Sequence, residues 1–490
     1  MTKRYIALFK KFIGLCAAVY LIFMSIAAFG EERSPHEGIS EKLFHDASSP
    51  IKEYSRVSPD SRRVAYGAAA GSTWFVVVDG NEKKKYDRFG KGSLVFSPDS
   101  KRVAYVAKTG NKQCVVVDGK EGNHYDGIAA GGPLFSPDSK RVAYVANTGN
   151  KHFVVVDGRE GNHYNGITAG GPLFSPDSKR VAYGATAVDK RFVVVDGMEE
   201  KKYDHLGQGS LVFSPDSKRL AYAAEADNKR FVVVDGKELK RYNRIGTSGP
   251  VFSPDSRRVA YGAAVGGPWF VVVDEKEGKR HDSIGIVGPL FSPDSKRVAY
   301  IGESGNKQFV VVDGKEGNHY DGIAENGPLF SPDSKRVAYG AKTGDKQFVV
   351  VDGKEGNHYD VVAENGPLFS PDSKHAAYIA EADNKRFVIV DGKEGKPYDG
   401  IAAGGPLFSP DSKHVAYIAE AGDQWFVVVD GEEGNHYNGI ATLEGGKAVS
   451  GSFDSLYCFC IEDNGIYLVE VRTSPIVRAP VDGHVGSSEP

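Results

Sequence analysis

A ten-residue phrase, Phe96-Ser97-Pro98-Asp99-Ser100-Lys101-Arg102-Val103-Ala104-Tyr105, returns along this chain at a constant interval. Its proline stands at Pro59, Pro98, Pro137 and onward to Pro410, always 39 residues apart, in ten copies. A second phrase, Cys114-Val115-Val116-Val117-Asp118-Gly119, keeps the same step, and its aspartate recurs from Asp79 to Asp430. A fixed period of this size marks a module that cannot bury its own faces and must stack on copies of itself. The several domains usual for a chain of 490 residues therefore give way to one periodic architecture, or to two rings of the same kind.

The unit around Gly132 reads as four short strands, a to d. Pro133-Leu134-Phe135-Ser136 is strand a, and Pro137-Asp138-Ser139-Lys140 is a turn in which proline fixes φ and Asp or Ser bonds its own backbone. Arg141 to Ala146 and Phe153 to Val156 are β-branched and aromatic runs, strands b and c, separated by the polar turn 147–151. After Asp157-Gly158, the segment His163-Tyr164-Asn165-Gly166-Ile167 is a weaker strand d. Helical periodicity is missing throughout. Four-stranded meanders of this length bury both faces by packing around an axis as propeller blades, whereas a β-solenoid needs a shorter period. The expected fold is all-β, a propeller of ten to eleven four-stranded blades.

The phrase Phe-Ser-Pro-Asp-Ser-Lys-Arg-Val-Ala-Tyr resembles the repeat of TolB-like propellers, a branch of the WD-like repeats. The resemblance covers Val57 to about Ile440, with Val57 replacing Phe in the first copy. It implies a four-stranded blade and a protein-binding role in the cell envelope. It extends to the blade alone, because no segment here reads as the separate α/β domain of TolB.

After the tenth copy the period slips: Phe453 of a degenerate phrase follows Pro410 by 43 residues, and Gly465 to Val471 reads as a strand c. At the other end, Lys42 to Asp46 aligns with strand d and is expected to complete this partial eleventh blade. Known blade numbers of ~4–8 favour two rings. The complementary ends and the unbroken step favour one. The expected divisions are residues 1–30, 31–50 as a lead-in with the closing strand, 51–472 as propeller repeats, and 473–490 as a tail.

Residues 1–30 read as a signal peptide or signal anchor. Lys3, Arg4, Lys10 and Lys11 precede the uncharged run Phe12 to Phe29, and Ala28-Phe29-Gly30 offers small residues for cleavage before Glu31. The run approaches the length of a spanning helix, so membrane contact is expected only through residues 12–29 if they are retained. Either outcome puts the repeats in the periplasm or outside the cell, with the positive flank left inside.

The net charge is −3, and residues 31–490 hold 57 basic against 64 acidic groups. No basic face is available for phosphates, which excludes nucleic acid as a partner. Three cysteines remain beyond residue 30, too few for a disulfide framework; Cys114 stands where other copies carry Phe and reads as a buried thiol. No G-x-S-x-G, G-x-x-x-x-G-K-[ST] or H-E-x-x-H motif occurs, and carboxylates repeated on turns are not a poised pair. The histidines of the recurring Gly-Asn-His-Tyr sit one per blade and read as structural. No cofactor, metal or catalytic residue is expected.

The copies disagree in the b–c and d–a loops, which share one face of a propeller, while the a–b and c–d turns on the other face stay fixed. Trp74, Trp269 and Trp425 share one repeat position before the strand-c phenylalanine, where other copies carry Gln, His or Arg. Aromatics there stack on sugars or anchor a partner, or else pack between blades. The expected function is an exported module that binds or scaffolds envelope proteins through its varied face. The alternatives are a propeller lyase or glycan hydrolase, and a carbohydrate-binding propeller.

Overall fold

Each repeat folds its two apolar phrases into a hairpin, and that hairpin is the middle of one sheet. The computed structural model describes residues 39–46, 56–60, 63–90, 92–364, 366–402, 404–441, 449–452, 455–462 and 465–472. In the third blade strand b is Val142–Thr148 and strand c is Lys151–Val156, antiparallel from Ala143 opposite Val156 to Thr148 opposite Lys151. The hairpin recurs in eleven sheets, ending with Ser455–Glu462 and Gly465–Arg472. Among the described residues there is no helix. The chain is an all-β propeller. Residues 1–30 and 473–490, read above as export signal and tail, lie outside the described residues.

Both faces of each hairpin are apolar, so its sequence is a near-continuous hydrophobic run, not an alternating one. In the third blade Val142, Tyr144, Ala146, Phe153 and Val155 pack back on Ala104, Val106 and Val115 of the second. Ala143, Val145 and Val154 face forward and meet Tyr183, Phe192 and Val194 of the fourth. The larger side chains of one face thus fill the space left by the smaller ones of the next. Copying one phrase copies one interface.

Strand d departs from the reading as a single strand of its own blade. It starts beside strand c as Arg159–Glu160 and touches that strand again where Tyr164 bridges His152. Then it crosses: Gly166–Ile167 pairs with strand b of the following blade, Gly166 opposite Thr186. The reason lies in strand a. Leu173–Phe174 covers only Ala182 and Val181 of the seven-residue strand Val181–Ala187. The rest of that edge would be a row of unpaired backbone groups, and the crossing end of strand d fills it. Each blade is thereby stitched to the next.

The eleventh blade takes its outer strand from the far end of the chain. Ile39–Asp46 lies antiparallel along Gly465–Arg472, from Ile39 opposite Val471 to Asp46 opposite Gly465, the place strand d holds elsewhere. Arg56, which opens the first blade's strand a, follows Asp46 by ten residues, a reach of at most ~35 Å. The first blade's strand a therefore starts within that distance of the sheet the two chain ends share.

Candidate binding face

The most repeated residues are used up in joining blades. In the third blade Ser136 Oγ donates to Asp138 Oδ1 (2.6 Å) and accepts from Arg141 N (2.9 Å). That hydroxyl, then the Lys140 N–H, hold the Asp138 carboxyl below the usual carboxylate range. Asp138 N donates to Ser178 Oγ of the next blade (2.8 Å). Arg141 spans the joint: its Nε donates to Asp157 Oδ2 (2.9 Å), and its Nη1 donates to the Ser178 and Lys179 carbonyls of the next turn (3.1 and 2.8 Å). The guanidinium lies over Phe174, 5.3 Å from the ring centroid. Asp157 Oδ1 accepts from Val142 N (2.9 Å). The phrase and the Asp-Gly turn are thus two halves of one clamp.

The Asp-Gly turn needs two residues at positive φ, the type I′ geometry that matches strand twist. Asp157 and Gly158 have φ of 53° and 78°. The sixth blade carries Asp274-Glu275 there, and Glu275 is held at 65°. Glu275→Gly is expected to raise stability by about 0.5–1 kcal/mol, the strain relieved less the freedom glycine gives the unfolded chain. Thermal denaturation checks this; a lowered midpoint would show that the ion pair of Glu275 with Lys237 (3.1 Å) outweighs the strain.

The variation between copies collects on the opposite face. There the crossing end of strand d, strand b and strand c place three side chains side by side. The row is Arg88, Lys108 and Gln113 in the second blade. It is His205, Glu225 and Arg230 in the fifth, Gly322, Lys342 and Gln347 in the eighth, and Gly400, Glu420 and Trp425 in the tenth. Directly opposed residues share one side of a sheet, so each row is a continuous strip.

The strips differ in chemistry. Arg230 Nε bonds Glu225 Oε2 at 2.8 Å, and Arg191 contacts His205. Arg88 and Lys108 face each other with no ion pair among the described residues. Burial, then Asp423 and Asp399, push the Glu420 carboxyl up; a Cβ on Gly400 would come within 2.5 Å of its Oε2, so a side chain there would turn the carboxylate aside.

Grooves open between these strips and the d–a loops. One, ≈ 570 Å³, is lined by His205, Glu225, Arg230, Ser210 and Thr247. One of ≈ 250 Å³ lies at Arg88, Lys108 and Gln113, and one of ≈ 210 Å³ lies between Gly170 and Gly209 over Tyr222.

Trp74, Trp269 and Trp425 occupy the strand-c place in the strips of the first, sixth and tenth blades. The fold does not bring them together. Each is half-buried. Where the place holds Gln113, its Oε1 accepts the Ile128 N–H of the crossing strand (2.8 Å), and Trp269 instead carries the Arg244 guanidinium 5.0 Å from its ring centroid. The strand-b members fall at the start of the varied b–c segments, but the strand-d members, such as Arg88 beside Lys108, come from the preceding repeat and do not stand out in the sequence. Aligning the copies position by position would have shown them, as it showed the tryptophans.

No protein-family model matches this chain, and no curated protein does. Among solved structures it is similar to that of a eukaryotic initiation factor, at 14% identity over 69% of this chain and 96% of that one, with a TM-score of 0.38. It is similar to TolB from Acinetobacter baumannii at 16% identity, over 51% and 77%, with a TM-score of 0.25. For a GH74 enzyme from Niastella koreensis the values are 11%, 84% and 82%, with a TM-score of 0.25.

Proposed function

We propose that this propeller is a non-catalytic binding or scaffolding module of the cell envelope that engages a protein partner through the face carrying the strips. One observation carries the reading. Residues fixed between copies are consumed in the blade joints, while those that differ line up beside grooves on the other face. Symmetric repeats supply the same group ten times. A surface selective for one partner needs the departures, and function grafted on a fold lies in such departures. The basic and apolar stretch from Lys3 to Phe29 supports export.

The test borrows residues from the chain itself. His205→Gly, Glu225→Lys and Arg230→Gln install the eighth blade's strip in the fifth, which keeps the fold. Co-purification from envelope extract should recover a protein with the parent chain and lose it with this variant. Recovery unchanged by strip exchanges in every blade, or turnover of a glycan with no protein recovered, would overturn the proposal.

A further inference from the structure

The second blade breaks an arrangement that recurs in most of the others. The strand-c phenylalanine is a platform for the residue just before the strand-d aromatic. His163 lies flat on Phe153, with centroids 4.1 Å apart and planes 11° apart, and His319 and His358 lie likewise on Phe309 and Phe348 (both 4.3 Å). Lys202 and Arg241 sit over Phe192 and Phe231 instead. Each such residue also meets the glutamate three positions earlier, as His163 meets Glu160 at 3.3 Å.

The second blade keeps the histidine and the glutamate as His124 and Glu121 but puts Cys114 in the platform's place, buried to 1% exposure. A large ring gives way to a thiol, and the imidazole stands over it. Ligand atoms of Cys114, Glu121 and His124 all lie within 4.8 Å of one another. Glu121 Oε1 holds Lys84 Nζ at 2.8 Å, which leaves Oε2 toward His124 Nε2 at 3.9 Å. His124 and Glu121 are partly exposed, so the set opens to solvent with the sulfur at its floor.

From this juxtaposition we infer that Cys114, Glu121 and His124 form a binding site for a divalent cation of the zinc class, with water as the fourth ligand from the open side. One sulfur, one nitrogen and one oxygen suit Zn²⁺, whereas Ca²⁺ and Mg²⁺ require oxygen ligands. The ligand atoms must draw together to reach bonds of about 2.0–2.3 Å, and the two partly exposed side chains are the ones free to turn. On binding, the Cys114 S–H bond breaks, its proton passes to water and a sulfur–metal bond forms; no electron is transferred. Lys84 remains on the outer carboxylate oxygen and orients the group. The sequence hid this site because ten residues separate the cysteine from the histidine, and a hairpin turn brings them together.

Co²⁺ is the probe, added to the full chain. A thiolate-to-cobalt charge-transfer band should appear at saturation, and Zn²⁺ should displace it and raise the melting temperature. Cys114→Phe and His124→Lys each install the residue other blades carry, so both variants fold. Cys114→Phe should lose the band and more than about a hundredfold in Co²⁺ affinity, beyond what loss of an outer partner costs; His124→Lys should weaken binding while a thiolate band persists at higher Co²⁺. Absence of the band under excess Co²⁺ would overturn the assignment. So would a band and a Zn²⁺-dependent melting shift that survive unchanged in Cys114→Phe.

Discussion

Arg219→Ala is expected to loosen the joint between the fifth and sixth blades by about 2–3 kcal/mol. The side chain has three kinds of contact. Its Nε meets Asp235 Oδ2 at 2.9 Å, but both groups are partly in water, so that ion pair contributes only about 0.2–1 kcal/mol. Its Nη1 donates to the Ser256 and Arg257 carbonyls of the next turn (3.2 and 3.0 Å), at roughly 1 kcal/mol each. The guanidinium stands 5.1 Å from the Phe252 centroid, worth about 0.5–1 kcal/mol at a half-exposed site. Arg219→Lys should recover little, since an ammonium cannot hold the carboxylate and two carbonyls in one plane. Repeat arrays open locally, so the readout is amide hydrogen exchange across residues 213–261 together with the melt. Unchanged exchange there would show that core packing alone sets the joint.

The chain contains the reverse experiment. In the ninth and tenth blades the clamp residue is histidine: His375 Nδ1 contacts Asp391 Oδ2 at 2.6 Å and His414 Nδ1 contacts Asp430 Oδ2 at 2.5 Å. Neither bonds the following turn among the described residues. His375→Arg should gain roughly 1–2 kcal/mol through the carbonyls of Ser412 and Lys413, and it should slow exchange at the ninth joint alone. Both histidine clamps thus sit in the two blades that precede the one built by the two chain ends.

Much of this architecture was legible because it repeats. The 39-residue step gave blade number and strand order, and the turns read as structural are structural. The sequence did not reveal what crosses between blades. Arg141 looked like the start of strand b, yet its partners are Ser178 and Lys179, 37 and 38 residues away. Gly166–Ile167 looked like the end of its own strand, yet it fills the next blade's edge. In both cases the period hides the jump, since a contact to the next copy and a contact within a copy leave the same pattern. The strips on the varied face escaped for a related reason. Their three members come from two repeats, and only sheet register puts Arg88 beside Lys108.

Deleting residues 39–46 is expected to have the largest effect of all. The deletion removes the partner of residues Gly465 to Val471. At roughly 0.5–1.5 kcal/mol for each backbone hydrogen bond, the loss is about 4–7 kcal/mol before packing is counted. It also creates a long unpaired edge in the last blade. The deleted protein should melt many degrees lower and self-associate, because an open edge recruits the same strand from another copy. Deletion alone cannot separate loss of this strand pairing from general damage. Ser40→Cys with Glu470→Cys does so, since these residues are register partners at a spacing a disulfide can bridge. Oxidation should link positions 40 and 470 within one chain and raise the melt, by up to about 5 kcal/mol for so long a loop. Peptide mapping distinguishes this link from one to Cys458 or Cys460. A link that forms only between chains would mean that the strand is exchanged between copies, and then the last blade is completed by a partner.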